Sequence, residues 1–315
     1  MEKIKIGLSR CLLGDNVRYD GGHRQDRYVT DTLGKYFDWV PVCPEVEYGL
    51  PVPREAMRLV GDPESPRLVT VHSGVDHTEG MRRWAGRKLD ELAGEGLLGF
   101  IFKSKSPSCG MAAVKVHSPA GTARKAGVGI LAAAFMERFP LIPCEEDERL
   151  YDPVLRENFI ERVFVFKRWA DAWRKGRSAK TLADFHRDHK LLIAAHSPVH
   201  LSRLDRLVAT PDRRRLQETA AAYIALLMET LKLIATVRKN TNVLHHMAGY
   251  LKRRLNRADR QELLETIANY RRGMVPLIVP VVLLQHYVRM YDEPCLERQV
   301  YLNPRPLELM LRNHV

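Results

Sequence analysis

The chain has 315 residues, 45% hydrophobic and 28% charged, with five cysteines and a formal net charge of +12. That composition suits a globular protein with room for two cores, no apolar run is long enough to cross a bilayer, and five cysteines are too few and odd in number for a disulfide framework. The first residues alternate Lys and Ile without a signal-peptide core, so the expected compartment is the cytoplasm, where thiols stay reduced, catalytic or metal-bound.

In chain order, strands are expected at Lys3–Leu8, Trp39–Val42, Leu68–Val71, Leu98–Lys103 and Leu141–Pro143. Helices are expected at Tyr28–Tyr36, Thr78–Ala93 and Gly127–Phe139, with Thr78 as an N-cap and Gly94 as a stop. Short apolar strands separated by helices predict an open, mostly parallel, Rossmann-like α/β sheet with helices on both faces. Gly94-Glu95-Gly96-Leu97-Leu98-Gly99 matches the dinucleotide fingerprint in letters, but it follows a helix and precedes a strand. The fingerprint requires the reverse order, so these glycines read as a turn.

The acidic run Glu145–Arg149 marks a boundary, dividing an α/β domain, residues 1–150, from an all-α domain, residues 151–315. In the second domain Asn158–Arg174, Ala179–Ala195, Arg215–Arg238, Thr241–Leu255, Asp259–Arg272 and Leu277–Tyr291 follow helical spacing. Residues 1–150 hold 21 Lys+Arg and 21 Asp+Glu; the remaining 29 and 17 of the totals of 50 and 38 place all of the +12 in residues 151–315. A neutral first half suits a small-molecule site, and a basic second half suits a polyanion, nucleic acid first.

Cys11 ends the first strand run, Cys43 the second, and Cys109 follows the fourth. At the carboxyl ends of parallel strands they would share one rim, where ligands of open α/β sheets bind. Taken singly, each is an ordinary small buried residue; taken together they suit a soft metal centre. Cys144 also ends an apolar run, so spacing leaves three and four ligands open, while Cys295 reads as structural.

Cys11-Leu12-Leu13-Gly14, Val17-Arg18-Tyr19-Asp20-Gly21, Cys43-Pro44-Glu45 and Lys103-Ser104-Lys105-Ser106-Pro107-Ser108-Cys109-Gly110 resemble the TudS family of iron–sulfur thiouracil desulfurases. The resemblance implies a [4Fe–4S] cluster held by Cys11, Cys43 and Cys109, with one iron open to the substrate sulfur and Cys144 off the ligand pattern. It gives Glu45 a catalytic role, as a group that activates water or shuttles protons, and Ser106 a functional one, with Ser104 and Ser108 as competitors. A surface Glu and a loop Ser serving backbone groups are the plain alternatives. Lys103 and Lys105 would attract an anionic nucleotide or be solvated, Tyr19 would stack on a base or pack, and Asp76 and Thr78 read chiefly as helix caps. Residues 240–250, Asn240-Thr241-Asn242-Val243-Leu244-His245-His246-Met247-Ala248-Gly249-Tyr250, and residues 299–304, Gln299-Val300-Tyr301-Leu302-Asn303-Pro304, resemble the domain fused to that module in RudS-type proteins. This implies removal of sulfur from 4-thiouridine in transfer RNA, with no nicotinamide or flavin partner. Free 2- or 4-thiouracil as substrate, and an RNA-binding redox sensor without catalysis, are the competing expectations.

For RNA contact, Arg213, Arg214 and Arg215 form one basic cluster, and Lys252, Arg253, Arg254 and Arg257 form another on a predicted helix. Cations at helix ends also arise simply to complement the macrodipole. His186, His189, His196 and His200 have ligand-like spacing, but Pro198 is expected to interrupt the helix, and ordinary core or surface histidines are the favoured reading.

Overall fold

A computed structural model describes residues 3–118, 122–209 and 215–303. The chain divides into two compact units, Met1–Asp152 and Pro153–Val315.

The first unit is built on a parallel sheet of order β2-β1-β5-β8, formed by β1 (Ile4–Ser9), β2 (Phe37–Val42), β5 (Phe100–Phe102) and β8 (Cys144–Glu146). The apolar residues of β1 and β5 run almost uninterrupted and are buried, as strands covered on both faces require. Gly7 lets the strands approach: a Cβ there would stand 2.2 Å from the Phe100 ring. The α/β class predicted for this half is therefore observed.

A second, mixed sheet was not expected. It has the order β4-β3-β6-β7, from β3 (Met57–Val60), β4 (Arg67–Thr70), β6 (Val114–His117) and β7 (Ala123–Gly127). The run expected at Leu68–Val71 belongs to this sheet, antiparallel to β3. The strand expected at Leu141–Pro143 instead begins at Cys144. Pro143 donates no N–H, yet its carbonyl accepts from Phe100, so the pairing starts one residue before the strand proper. Residues 28–36 form a wide turn, Tyr28–Thr32, and a tight one, Leu33–Lys35, rather than a regular helix.

The α-helices of this unit are α1 (Pro44–Tyr48), α2 (Thr78–Gly94) and α3 (Ile130–Arg138). Thr78 is the first residue of α2 rather than its cap; Asp76 accepts the Thr78 N–H, and the Thr78 hydroxyl accepts the Leu68 N–H. Phe100, Phe102 and Phe135 of α3 form the aromatic centre of the core.

The second unit is helical: α4 (Pro153–Lys175), α5 (Ala179–His196), α6 (Pro198–Ala209), α7 (Leu216–Lys232), α8 (Val237–Leu251), α9 (Arg257–Arg271), α10 (Ile278–Met290) and the short α11 (Pro294–Glu297). The helix expected over Arg215–Arg238 is broken after Lys232. Asn158 Nδ2 donates to the Leu231 carbonyl at 2.7 Å, and Thr236 caps the next helix by accepting the Lys239 N–H. Pro198, expected only to break a helix, also opens α6, where a first-turn proline loses no hydrogen bond. No single helix among the described residues is long and apolar enough to cross a membrane.

Candidate functional site

The carboxyl ends of β1, β2 and β5 carry three short turns, each placing one cysteine. After β1 the chain tightens into Arg10–Leu13, closed by Gly14 at φ 101°, with Cys11 inside the turn. After β2, Cys43 is the N-cap residue of α1; Pro44 opens that helix, and Glu47 reaches back to accept the Cys43 N–H at 2.8 Å. After β5, the Ser106 hydroxyl accepts the N–H groups of Ser108 and Cys109 at 3.2 and 3.1 Å. Asp147 holds the start of that loop by accepting the Ser104 N–H at 2.7 Å. Gly129, at the start of α3, lies so close that a Cβ would stand 2.5 Å from the Ser108 carbonyl carbon.

Cys11, Cys43 and Cys109 line one cavity of about 680 Å³, together with Glu45, Ser106 and Arg54. Burial dominates the thiols. It pushes Cys11 up to about 11 and Cys43 up to about 12, with Glu45 raising Cys43 further, and it lifts Cys109 well above the ordinary range. Cys109 is raised by Cys11 and Cys43 as well, which records their proximity. Such thiols are protonated and unreactive at neutral pH; a bound metal would displace their protons.

No three His, Cys, Asp or Glu side chains among the described residues are close enough to hold a single metal ion. Three sulfurs around a roomy cavity, with no oxygen or nitrogen ligand completing a small sphere, fit instead a multi-iron group that each thiolate grips at a different iron.

Glu45 Oε2 lies 3.7 Å from Cys43 Sγ and 3.9 Å from Arg54 Nη2. Ser9, the last residue of β1, accepts the Lys103 N–H at 2.8 Å and lines the cavity beside Cys109, whose thiol it draws slightly down against the rise from burial. Lys103 Nζ is held by Asp147 Oδ2 at 2.7 Å and Ser104 Oγ at 2.8 Å. Ser9, Arg54 and Asp147 are the members that sequence reasoning missed. Ser9 ends a strand like any other small residue, Asp147 reads as part of an acidic boundary, and Arg54 sits in a proline-flanked stretch without periodicity.

Residues 6–147 match the family model described as 2-thiouracil desulfurase, and residues 190–306 match a model described as a protein of unknown function, DUF1722. A curated relative, "Uncharacterized protein YbgA" of Escherichia coli strain K12, is 30% identical over 158 residues, 50% of this chain and 94% of that protein. The chain belongs to the family of YbgA. The solved structure of a "[4Fe-4S]-dependent thiouracil desulfidase TudS" is 32% identical, covering 48% of this chain and 95% of its own, with a TM-score of 0.40.

In this YbgA relative the remaining candidates fall in several places. Ser104 accepts from Lys103, and Ser108 is fully buried and does not line the cavity. Lys105 pairs with Glu148 at the exposed edge. Tyr19 lines the cavity, 45% exposed, with the Arg18 guanidinium 5.4 Å from its ring centre. Asp76 and Thr78 lie in a separate small pocket with Arg67. Cys144 sits at the amino end of β8, in register with Phe100, with its thiol directed at the Ile142 carbonyl at 3.5 Å. The three cavity cysteines are at the opposite, carboxyl end of the same sheet. Cys295, expected to be structural, is exposed on α11.

Lys252, Arg253, Arg254 and Arg257 do not share one helix. α8 ends at Leu251, the chain turns, and Asn256 caps α9 by accepting the Asp259 N–H at 2.9 Å, so Arg257 opens a new helix. Arg254 is tied to Glu293 at 3.3 Å and to the Tyr291 carbonyl. Lys252, Arg257 and Arg260 line a groove of about 580 Å³ along α9 and pair with no carboxylate among the described residues. Arg253 is exposed in the turn, and Arg215 is exposed at the start of α7. Arg213 and Arg214 lie outside the described residues. The four histidines make separate contacts: His186 with Asp205 and Tyr223, His189 with the Phe185 carbonyl, His196 with Glu161 and the Leu233 carbonyl, and His200 with Ser197.

Proposed function

We propose that the chain is a [4Fe–4S]-dependent desulfurase of thiolated pyrimidines that converts 4-thiouridine in transfer RNA to uridine and releases sulfide. The observation that carries this reading is the meeting of Cys11, Cys43 and Cys109 with Glu45 around one cavity. The match of residues 6–147 to the 2-thiouracil desulfurase model supports the same chemistry. When bound, the cluster would supply a Lewis-acidic iron that polarises the substrate thiocarbonyl.

The chain's own residues do the rest. The three thiolates fix the group in the cavity. Glu45, held beside Cys43 and Arg54, takes the proton of the attacking water at Oε2. Lys103, pinned by Asp147, keeps a positive charge at the rim, where sulfur leaves as an anion. Ser106 uses its oxygen lone pairs on two backbone N–H groups and keeps its hydroxyl hydrogen for donation into the cavity. The net change exchanges sulfur for oxygen at carbon: the thiocarbonyl and water give the carbonyl and hydrogen sulfide. Carbon is neither oxidised nor reduced, so neither nicotinamide nor flavin is needed.

The basic groove on α9 supports transfer RNA as the carrier of the base. The match to a 2-thiouracil desulfurase model favours a second reading, action on free thiouracil. Incubating the iron-loaded chain with thiolated transfer RNA and, separately, with 4-thiouracil decides between them. The first reading expects loss of the thiocarbonyl absorbance with higher kcat/KM on the RNA; equal or better turnover of the free base would replace it with the second. The position of Cys144 at the amino end of β8, outside the cavity lining, supports three thiolate ligands over the four that a closed sensor cluster would use.

A further inference from the structure

Arg54 is held unusually firmly for a cation beside a cavity. Its side chain is 7% exposed. Nη2 donates to the Val17 carbonyl at 3.0 Å, Nη1 to the Pro51 carbonyl at 3.4 Å, and the backbone N–H to the Tyr19 carbonyl at 2.8 Å. Two carbonyls thus hold the guanidinium and a third holds the backbone, from two loops. What it then faces is Glu45: Nη2 stands 3.9 Å from Oε2. The same carboxylate oxygen lies 3.7 Å from Cys43 Sγ, within reach of the thiol hydrogen.

These two contacts respond differently to metal. A sulfur bonded to iron has no hydrogen to donate, so the Cys43 contact disappears, and the thiolate that replaces it repels a carboxylate. The sulfurs of Cys11 and Cys109 add to that repulsion, since each is electrostatically coupled to Glu45. Arg54 is the cation that pairs with Glu45 among the described residues. Guanidinium suits the task, being planar, always charged and able to commit several N–H groups to anchors while keeping one side for the carboxylate.

We infer that Arg54 is a positioning residue that holds the Glu45 carboxylate against the cavity when Cys11, Cys43 and Cys109 are ligated thiolates. This rests on the reading of Glu45 as the group that handles the water proton. It goes beyond that reading by naming what keeps Glu45 in place among negative charges.

The test uses the full chain, loaded anaerobically with iron and sulfide, as wild type, Arg54→Met and Arg54→Lys. Iron content, kcat, KM and the crystal structure of each loaded protein are measured. In Arg54→Met the expected results are unchanged iron content, a nearly unchanged KM, a kcat lower by about 100-fold, and a Glu45 side chain turned away from the cavity. Arg54→Lys keeps the charge without the fork, so it should recover about tenfold of that loss. It also carries the test if the methionine variant does not fold, and its kcat should then lie about tenfold below wild type. Full turnover in either variant, or Glu45 unmoved in loaded Arg54→Met, overturns the inference. If wild type binds iron but desulfurates neither thiolated RNA nor thiouracil, the reading of Glu45 falls instead, and the position of Glu45 in the loaded variant still decides what Arg54 does.

Discussion

Glu45 shows what residue-level chemistry adds to position. Two residues after Cys43, it is legible in the sequence as a rim residue, and it does line the cavity with its side chain 13% exposed. What the sequence does not disclose is its partner, nine residues onward in a proline-flanked loop. Glu45→Gln is expected to bind the same iron and to lose turnover by about 10² to 10⁴, the range of general acid–base help. Iron assay and kcat on one preparation check this, and retained turnover would remove Glu45 from the chemistry. Ser106 is the harder residue to read. Its oxygen organises the Cys109 turn, so the plain reading, a loop serine serving backbone groups, describes contacts that are present. Ser106→Ala should therefore disturb the Cys109 loop as well as any proton donation.

At the scale of elements, legibility follows hydrophobic continuity. β1, β2 and β5 are apolar runs, and α2 has strong helical spacing, so their existence can be inferred. β3 and β7 carry Arg58, Arg124 and Lys125, and β7 is exposed along most of its length, so their pattern does not announce strands; β6 alternates Val114-Lys115-Val116-His117 but is only four residues long. β8 is displaced from its expected place because Glu145 and Glu146 look like a surface run. Both are buried and hydrogen-bonded: Arg149 Nε lies 2.6 Å from Glu145 Oε1, and the Met111 and Ala112 N–H groups donate to Glu146. Burial raises Glu146 despite those bonds.

The α9 groove makes its own prediction. Changing Lys252, Arg257 and Arg260 together to Gln should weaken transfer RNA binding and make the dependence of log K on log salt shallower by about 2.7. Titrations at several salt concentrations measure that slope, and an unchanged slope would place the RNA elsewhere. In α5, burial lowers His189 to about 3, its Nδ1 donates to the Phe185 carbonyl, and its Nε2 has no partner. Its folded pKa lies below the unfolded value of 6.5. The unfolded chain therefore takes up this proton first, and stability is lost as pH falls from about 6.5 toward 3. Urea midpoints of the intact chain across that window should fall, and His189→Phe should flatten the fall, since it removes both the titration and the orphaned nitrogen. An unchanged slope in the variant would contradict this account.

At the scale of the whole molecule, the charge division is the clearest message of composition: residues 1–150, with a cavity of thiols, are neutral, and residues 151–315, mostly helical, carry the full +12. Counting charged residues along the chain is enough to find that asymmetry. The α/β unit's cavity can be anticipated because parallel strands end together. The basic surface is harder to locate, since the turn at residues 252–256 redistributes a cluster whose spacing suggests one helix. A sequence run of cations fixes total charge but not which of them a local carboxylate or carbonyl will occupy, and Arg254 is occupied.

The most direct measurement is the iron and sulfide content of the anaerobically reconstituted chain, compared across serine variants of its cysteines. The account predicts about four irons per chain for wild type and for Cys144→Ser, and essentially none for Cys11→Ser, Cys43→Ser or Cys109→Ser. A full iron complement in any of those last three, or loss of iron in Cys144→Ser, would contradict it.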